Sequence, residues 1–240
     1  MSNSSNGAAF YKQETKHLAE PEKNEALELC SQRSAKSSKD LCWGIEQWSQ
    51  WRQLAHDVKQ YTIAHLDQLL TEFTDKLAAK GVTILWARDA KEANEIIIGI
   101  AKENNVKTVV KGKSMVSEEL DLNHAFAAEG IDALETDLGE FIVQLSGRRP
   151  THIVTPATHL SAADVGHLFA DKLGIPFTAE HETLTMIARK TLRQKFVNAD
   201  MGISGVNFGI ADTGTCCLVE NEGNIGLSTT APRIHVALMG

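Results

Sequence analysis

The sequence has few cysteines, few prolines and no long apolar run, and each shortage excludes a class of protein. Its 240 residues include 4 cysteines and 5 prolines. Four cysteines are too few for the disulfide framework of a small secreted protein. The longest apolar stretch, residues 96–101, is far shorter than the roughly 20 residues of a membrane-spanning helix. The polar N-terminus lacks the order of a signal peptide, so we expect a cytoplasmic protein.

Basic charge and metal-binding spacings are also scarce. Twenty-four Lys and Arg residues stand against 31 Asp and Glu residues, giving a net charge of −7, which argues against binding to nucleic acid. The nine histidines and four cysteines form no H-x-x-x-H or C-x-x-C spacing, so the sequence predicts no metal site. The hydrophobic fraction of 42% is typical of a globular domain, and a chain of this length can bury a core without crosslinks.

The N-terminal third divides into a polar part and an apolar periodic part. Residues 1–40 are rich in Ser, Lys and Glu and lack a sustained apolar period, so we predict a flexible arm with a short helix around 22–32. From residue 45 to Leu77, apolar residues recur every three or four positions. This spacing predicts one long helix or a pair of helices ending at Gly81, with Trp48 and Trp51 packed in the core.

The middle of the chain alternates between two patterns. Short β-branched runs predict strands over 82–86, 106–111, 131–135 and 152–155. Amphipathic stretches between them predict helices over 90–104, 115–129 (broken near Asn123), 138–145, 161–173 and 180–196. This alternation predicts an α/β fold, a three-layer, mostly parallel sheet with helices on both faces.

The last forty residues differ, because turn residues separate apolar runs with no helical period between them. Strands are predicted over 203–211, 215–220, 225–228 and 234–238, which indicates an antiparallel C-terminal extension of the same sheet. The chain stops on an apolar strand with nothing to cover it. We therefore expect residues 41–240 to form one α/β domain that is shortened at its C-terminus.

Three polar loops follow predicted strands, where ligands of open α/β sheets bind. Lys111, Lys113 and Ser114 surround Gly112 in a turn suited to an anion, although an ordinary capped turn also explains them. Glu135 and Thr136 follow the next strand and are candidates to hold a substrate hydroxyl or to act as a general base. Asp137 and Glu140, which come next, have the spacing of a helix capping box.

The third loop region contains two glycine turns. Tight hairpin turns explain its glycines, and an anion-binding concavity explains its flanking polar residues equally well. His152 and His159 are further candidates to line the cleft. We expect this region to fold beside Lys113 and Glu135 and to bind a small anionic metabolite. Its candidate residues are Asn207, Asp212, Thr213, Gly214, Glu220, Glu222, Gly223 and Asn224.

Several of these segments, in this order, resemble the lactate-utilisation protein B family. They are residues 110–119, 135–140, 152–157, 199–214 and 222–224, and they include the specific run Asn207-Phe-Gly-Ile-Ala-Asp-Thr-Gly214. The resemblance extends from about residue 43 to residue 240. It implies a lactate-utilisation (LUD) domain with the fold of the ribose-5-phosphate isomerase and CoA-transferase superfamily. It also implies a bacterial subunit that joins partner proteins A and C in oxidising L-lactate to pyruvate.

Members of that family continue into a ferredoxin-like module that carries cysteines for two [4Fe–4S] clusters and serves electron transfer. None of those cysteines is present here, so the resemblance covers the N-terminal part only and we expect no cofactor in this chain. Two alternatives stay open. The chain is a stand-alone enzyme or sensor for a phosphorylated or carboxylated metabolite, or an inactive domain held by partners through the helix over 48–77. The sequence assigns no catalytic residue.

Overall fold

The computed structural model describes residues 21–147 and 155–240. Its central sheet has four parallel strands in the order β2-β1-β3-β6, and a separate two-stranded antiparallel hairpin is formed by β4 and β5. The strands are β1 (Thr108–Lys111), β2 (Asp132–Glu135), β3 (Met201–Gly205), β4 (Phe208–Ile210), β5 (Thr215–Cys217) and β6 (Ile234–Leu238).

The helices of the described residues precede, connect and cover these strands. They are α1 (Pro21–Gly44), α2 (Trp48–Ala64), α3 (Leu66–Ala79), α4 (Ala90–Glu103), α5 (Met115–Glu119), α6 (Leu122–Ala128), α7 (Leu138–Ser146), α8 (Ala162–Leu173), α9 (His181–Asn198) and α10 (Asn224–Thr230). None of these helices combines the length and the apolar composition that crossing a membrane requires.

The sheet is buried on both faces, as the fold prediction requires. Val109 and Val110 are adjacent in β1, so their side chains point to opposite faces. Val109 belongs to a core cluster with α4, α6 and Ile203 of β3. Val110 belongs to a second cluster that includes Phe141 of α7 and Phe169 of α8, whose ring centroids are 6.2 Å apart. The three-layer α/β prediction is confirmed.

The predicted C-terminal extension is wrong in its details. Residues 225–228 lie in helix α10, not in a strand, and β6 pairs parallel to β3 within the main sheet. The antiparallel pairing is confined to the β4–β5 hairpin. Helix α10 packs against β3 through Gly202, where an added Cβ atom would lie 1.7 Å from the Ser228 carbonyl oxygen. A short apolar run fits either structure, and this close helix–strand packing selects the helix.

Two other predicted strands are not seen. Residues 82–86 are not paired with any strand among the described residues, and Val82, Leu85 and Trp86 are exposed. Their β-branched and aromatic side chains favour extended backbone, but a strand also needs a neighbour for its hydrogen bonds. Of the strand predicted over 152–155, residues 152–154 lie outside the described residues, and Thr155 is not in a strand.

The N-terminal helices are longer and more exposed than expected. Helix α1 spans 24 residues and includes the short helix predicted around 22–32; the flexibility of residues 1–40 stays a prediction. The predicted helical pair is confirmed as α2 and α3. The predicted core packing of Trp48 and Trp51 is wrong, because α2 has no buried residue. An apolar period determines which side chains share a face, but it does not supply a surface that covers them.

Candidate functional site

A buried ion pair lies at the carboxyl ends of β1 and β2. Lys111 and Glu135 are the last residues of these two strands and are directly in register. The Lys111 Nζ atom lies 2.6 Å from Glu135 Oε1. Lys111 is 0% exposed and Glu135 is 5% exposed. Parallel register therefore brings together one residue from each of the first two predicted loops.

Asn123 completes this pair and was not among the predicted site residues. Lys111 Nζ donates to Asn123 Oδ1 at 3.0 Å, and Asn123 Nδ2 donates to Glu135 Oε1 at 2.6 Å. A third acceptor, Glu118 Oε1, lies 3.4 Å from the ammonium. Asn123 reaches the pair because the chain breaks between α5 and α6, where Asp121 has a φ of 52°. The predicted break near Asn123 was the signal for this residue.

Gln144 of α7 is a second residue that the sequence did not reveal. Its Oε1 atom accepts from the Glu135 backbone N–H at 3.0 Å, and its Nε2 atom donates to the Ala133 carbonyl at 2.8 Å. The side chain thus hydrogen-bonds to the backbone of β2 as a neighbouring strand would, and β2 is an edge strand of the described sheet. Gln144 fixes the backbone of Glu135, while Asn123 and Lys111 fix its carboxylate.

Lys113 faces the start of α7. Its Nζ atom lies 3.7 Å from Asp137 Oδ2 and 3.9 Å from Glu140 Oε1. Asp137 caps α7, as predicted, since its Oδ1 atom accepts from the Glu140 backbone N–H at 3.1 Å. Ser114 likewise caps α5 by accepting from the Ser117 backbone N–H at 3.3 Å. Capping is therefore correct for Asp137 and Ser114. The predicted capping box is only half formed, because among the described contacts the Glu140 side chain does not accept from the Asp137 backbone N–H.

Glu140 is the most perturbed carboxyl group at this edge of the sheet. Burial, reinforced by the negative charge of Glu135, raises the pKa of Glu140 to about 8, while the nearby Lys113 ammonium opposes the shift. Its Oε2 atom is buried and has no hydrogen-bond partner among the described residues. Burial also raises the pKa of Glu222. The raised pKa favours the protonated form of the Glu140 carboxyl group at neutral pH, a property typical of groups that exchange protons with bound molecules.

This proton makes stability depend on pH in a definite direction. Because the folded-state pKa of Glu140, about 8, lies above its ordinary value of 4.5, the folded protein binds the proton more tightly than the unfolded chain does. The resulting stabilisation is complete below about pH 4.5 and is lost as the pH rises through about 8. Glu140→Gln, which mimics the protonated form, is expected to exceed the wild type in free energy of unfolding at pH 8 by more than about 1 kcal/mol.

Urea denaturation near pH 4.5 and at pH 8 would measure the free energy of unfolding of Glu140→Gln and of the wild type. Glu119→Gln, at an exposed position at the end of α5, is the matched control and should shift stability by less than about 0.5 kcal/mol. Equal stability of Glu140→Gln and the wild type at pH 8 would contradict the assignment.

The second glycine turn of the third loop region lies at this site. Asn224 Nδ2 donates to Thr136 Oγ1 at 3.3 Å, and Glu222 Oε2 accepts from the Leu138 backbone N–H at 3.1 Å. Glu220 Oε2 accepts from the Gly226 backbone N–H at 2.9 Å, so this hydrogen bond joins the two ends of the turn that contains Glu222 and Asn224. Residues 220–224 therefore fold beside Glu135 and Thr136, as expected from the sequence.

The first glycine turn lies elsewhere. The backbone carbonyl of Asp212 accepts from Lys76 of α3, and that of Thr213 accepts at 2.5 Å from Lys80, the residue that follows α3. At Gly214 an added Cβ atom would lie 2.6 Å from the Lys76 Cβ atom. The expectation that both turns share one hollow with Lys113 and Glu135 is therefore met by the second turn, while the contacts of the first are to α3.

The remaining predicted candidates are also located. Asn207 supports the base of the hairpin, where its Oδ1 atom accepts from the Val219 backbone N–H at 2.8 Å. Gly223 precedes α10 with a φ of 73°, in the left-handed region that glycine tolerates. His159 is buried, and His152 lies outside the described residues.

The charges at the site are mostly balanced within the protein. Lys111 and Lys113 face acidic side chains from the second loop region and from α5 and α7. Lys111 lies within ion-pair distance of Glu118 and Glu135, and Lys113 lies within ion-pair distance of Asp137 and Glu140. An anionic ligand would have to compete with these acidic side chains.

The cysteines do not form a site for an iron–sulfur cluster. Cys30 and Cys42 lie on the same helix, about 18 Å apart at a rise of about 1.5 Å per residue. Cys216 and Cys217 are adjacent in β5 and point to opposite sides. Within residues 21–147 and 155–240, no group of three or more His, Cys, Asp or Glu side chains is placed to hold a metal ion. That no cofactor binds this chain stays a prediction.

Comparison with known proteins places this architecture in a family. The chain is 41% identical over 194 residues to lactate utilization protein B of Bacillus pumilus (strain SAFR-032), which covers 80% of this chain and 41% of that protein. It is 39% identical over 216 residues to lactate utilization protein B of Macrococcus caseolyticus (strain JCSC5402), which covers 90% of this chain and 44% of that protein. The chain thus spans less than half the length of these relatives.

Two further comparisons complete this result. No solved structure shows a significant match to the chain. The family model of the LUD domain matches residues 70–240, which include all strands of the sheet and every residue of the site described above. The chain therefore belongs to the LUD domain family.

Proposed function

We propose that this chain acts in lactate utilisation, as the LUD part of a protein of the lactate utilization protein B type. The observation that carries this proposal is its identity of about 40% to proteins of that name over 80–90% of its own length. In the finer form of the proposal, the chain joins partner proteins A and C in oxidising L-lactate to pyruvate. In this form of the proposal the electron-transfer step is assigned to the iron–sulfur module that the family resemblance implies for the longer proteins.

In this role the site at the carboxyl ends of β1 and β2 contacts a small carboxylated metabolite. Lys113, which is a quarter exposed, supplies positive charge at the surface of the cluster. The protonated Glu140 carboxyl group supplies a hydrogen-bond donor beside it, while the Lys111–Glu135 pair holds the loops in place. A ligand carboxylate would replace the Asp137 and Glu140 oxygens as the partner of Lys113.

Growth on L-lactate tests the biological role. Deleting the encoding gene is expected to abolish or slow growth on L-lactate and to leave growth on pyruvate unchanged, because the proposed role precedes pyruvate. Growth should return with the wild-type gene and with Glu119→Gln. Unchanged growth of the deletion strain on L-lactate, in a host without a second lactate-oxidising enzyme, would refute the proposal.

A second candidate function is a stand-alone enzyme or sensor for a carboxylated or phosphorylated metabolite. The buried, unpartnered Oε2 atom of Glu140 favours it, since a buried polar atom without a partner is suited to a ligand. A ligand present at about 100 times its Kd adds about 2.7 kcal/mol to the free energy of unfolding.

Thermal unfolding with lactate, pyruvate, sugar phosphates and CoA esters would detect such a ligand. We expect Lys113→Met to lose the shift in melting temperature and Lys107→Met, at an exposed position before β1, to keep it. A flat response of the wild type across these compounds would count against both the second candidate and the proposed ligand contact of Lys113. It would leave the growth test of the first proposal unaffected.

A further inference from the structure

One face of helix α9 carries basic side chains between two exposed apolar ones. Arg189, Lys190 and Arg193 are exposed, and at about 100° per residue they lie on the same side of the helix. Met186 and Val197, which are 50% and 70% exposed, lie on that side as well, one before and one after the basic residues. The opposite side of α9 packs into the core. These five residues are called the basic stripe below.

The positive charge of the basic stripe is not balanced within the part of the chain that the structure describes. After Glu182 in its first turn, α9 contains Lys and Arg residues but no Asp or Glu, although the whole chain has a net charge of −7. Lys195 of the same helix pairs with Asp132 at 3.1 Å. Within residues 21–147 and 155–240, no carboxylate is within ion-pair distance of the three basic residues of the stripe.

This charge arrangement does not stabilise the helix. Arg189 and Arg193 are four positions apart, so they are neighbours on the helix surface and repel each other. A Glu at one of these positions would form a favourable pair with the other residue. The needs of the fold therefore do not explain why three positive charges lie together here, and an external partner does.

The chemistry of the basic stripe favours carboxylates of another protein. The planar guanidinium group of arginine binds a carboxylate through two parallel hydrogen bonds. Arginine and methionine are both enriched at protein interfaces, where the flexible methionine side chain adapts to the opposing surface. The exposed Met186 and Val197 supply apolar contacts that a purely ionic ligand would not use.

Other occupants fit the basic stripe less well. Two copies of this chain that met through it would bring like charges together, which is unfavourable. A nucleic acid needs many phosphate contacts for stable binding, whereas the stripe offers three basic residues on a chain that is negatively charged overall. Charge complementarity therefore selects an acidic protein surface.

The basic stripe extends toward the end of the domain opposite the candidate site. Lys195 pairs with Asp132 at the start of β2, and the Asn198 carbonyl accepts from Thr108 Oγ1 at 3.0 Å at the start of β1. The C-terminal end of α9 therefore lies at the amino ends of these strands, whereas the candidate site lies at their carboxyl ends. A protein docked there leaves the candidate site accessible.

We propose that the basic stripe of α9 is a docking surface for an acidic segment of another protein. Arg189 and Arg193 are about 6 Å apart along the helix axis, so they match carboxylates that are one helical turn apart in the partner. The whole stripe is about 17 Å long, which corresponds to a small, transient interface that charge attraction steers. This surface goes beyond the proposed metabolic function and does not depend on it.

Fluorescence anisotropy of a labelled peptide titrated with the full chain tests the proposal. The probe is a helical peptide in which Glu residues one turn apart alternate with Leu, and the reference peptide has Gln in place of each Glu. We expect the Glu peptide to bind and the Gln peptide not to bind. The affinity should fall about tenfold between about 50 and 300 mM salt, because salt screens charges at the surface.

The variant Arg189→Gln/Lys190→Gln/Arg193→Gln is expected to lose affinity for the Glu peptide by about tenfold or more, because it removes the charges that attract carboxylates. It should be at least as stable as the wild type in urea, since it removes a repulsive pair. The matched control, Arg33→Gln/Lys36→Gln/Lys39→Gln, removes the same charge from exposed positions of α1 and should bind like the wild type.

Several results would overturn the proposal. Equal binding of the Glu and Gln peptides would show that carboxylates are not recognised, and an equal loss of affinity in the α1 control would show that net charge alone matters. Tighter binding to a single-stranded DNA oligonucleotide or to vesicles of anionic phospholipid would assign the stripe to phosphate groups. A stripe variant less stable than the wild type would show that the three charges serve the fold. None of these results would affect the test of growth on L-lactate.

Discussion

Replacing Lys111 with methionine is expected to lower the free energy of unfolding by about 3–5 kcal/mol, the cost of leaving one member of a buried ion pair without its partner. Methionine keeps most of the side-chain volume, so the cost comes from charge and not from a cavity. Glu135 would be left buried with only the Asn123 amide to hydrogen-bond its carboxylate. Urea denaturation measures the loss.

Two further variants show whether the lost charge partner is the cause. The double variant Lys111→Met/Glu135→Met is expected to be more stable than Lys111→Met alone, because it removes the uncompensated carboxylate. Lys107→Met, at an exposed lysine one residue before β1, should change stability by less than about 0.5 kcal/mol. A double variant that is less stable than Lys111→Met would show that the pair does not act through its charges.

Replacing Gly202 with alanine is expected to lower the free energy of unfolding by about 3 kcal/mol, at the upper end of what overpacking costs. The new Cβ atom would lie 1.7 Å from the Ser228 carbonyl oxygen and 3.3 Å from Pro232. Ser228 lies in α10 and Pro232 follows its end. The Ser228 carbonyl oxygen is a backbone atom, so it cannot move aside by changing rotamer as a side chain can. Helix α10 must therefore move away from β3, and the Asn224–Thr136 contact at the site would be disturbed with it.

Gly99 provides the control for this substitution. It lies inside α4, and an added Cβ atom there would meet no other atom within 4 Å. Gly99→Ala is therefore expected to stabilise the protein by about 0.5–1 kcal/mol, because alanine loses less backbone entropy in a helix. Chemical denaturation of both variants tests the contrast. If Gly202→Ala and Gly99→Ala have the same free energy of unfolding, α10 does not pack on β3 as closely as the structure shows.

The layered architecture was predictable because it depends on local patterns. The runs that became β1 and β2 are short and lie between segments with the apolar period of helices. The strand predicted over 203–211 was assigned to the antiparallel extension, whereas residues 201–205 form β3, a parallel strand of the main sheet. The same logic failed at residues 82–86 and at 225–228. Both runs suit a strand locally, but one has no neighbouring strand among the described residues and the other packs on Gly202 as a helix.

The candidate site was predictable in part. Lys111 and Glu135 follow from the rule that polar residues at the ends of parallel strands lie together, and Asp137 follows from its capping pattern. Asn123 and Gln144 did not. The predicted helix break marks the position of Asn123 but not its partners, and a polar residue in an amphipathic helix such as Gln144 does not indicate what it contacts. The first glycine turn has the composition of a binding loop, yet its contacts are to Lys76 and Lys80.

By itself, the sequence determined which segments are helices and strands in most of the chain, and which family the chain resembles, because periodicity and ordered motifs are local properties. Tertiary structure alone decided that Lys111 is buried in a network with Glu135 and Asn123, and that burial raises the pKa of Glu140. It also left helix α2 without a buried residue. These properties depend on contacts between residues far apart in the chain and on the exclusion of water, and neither is encoded in any one segment.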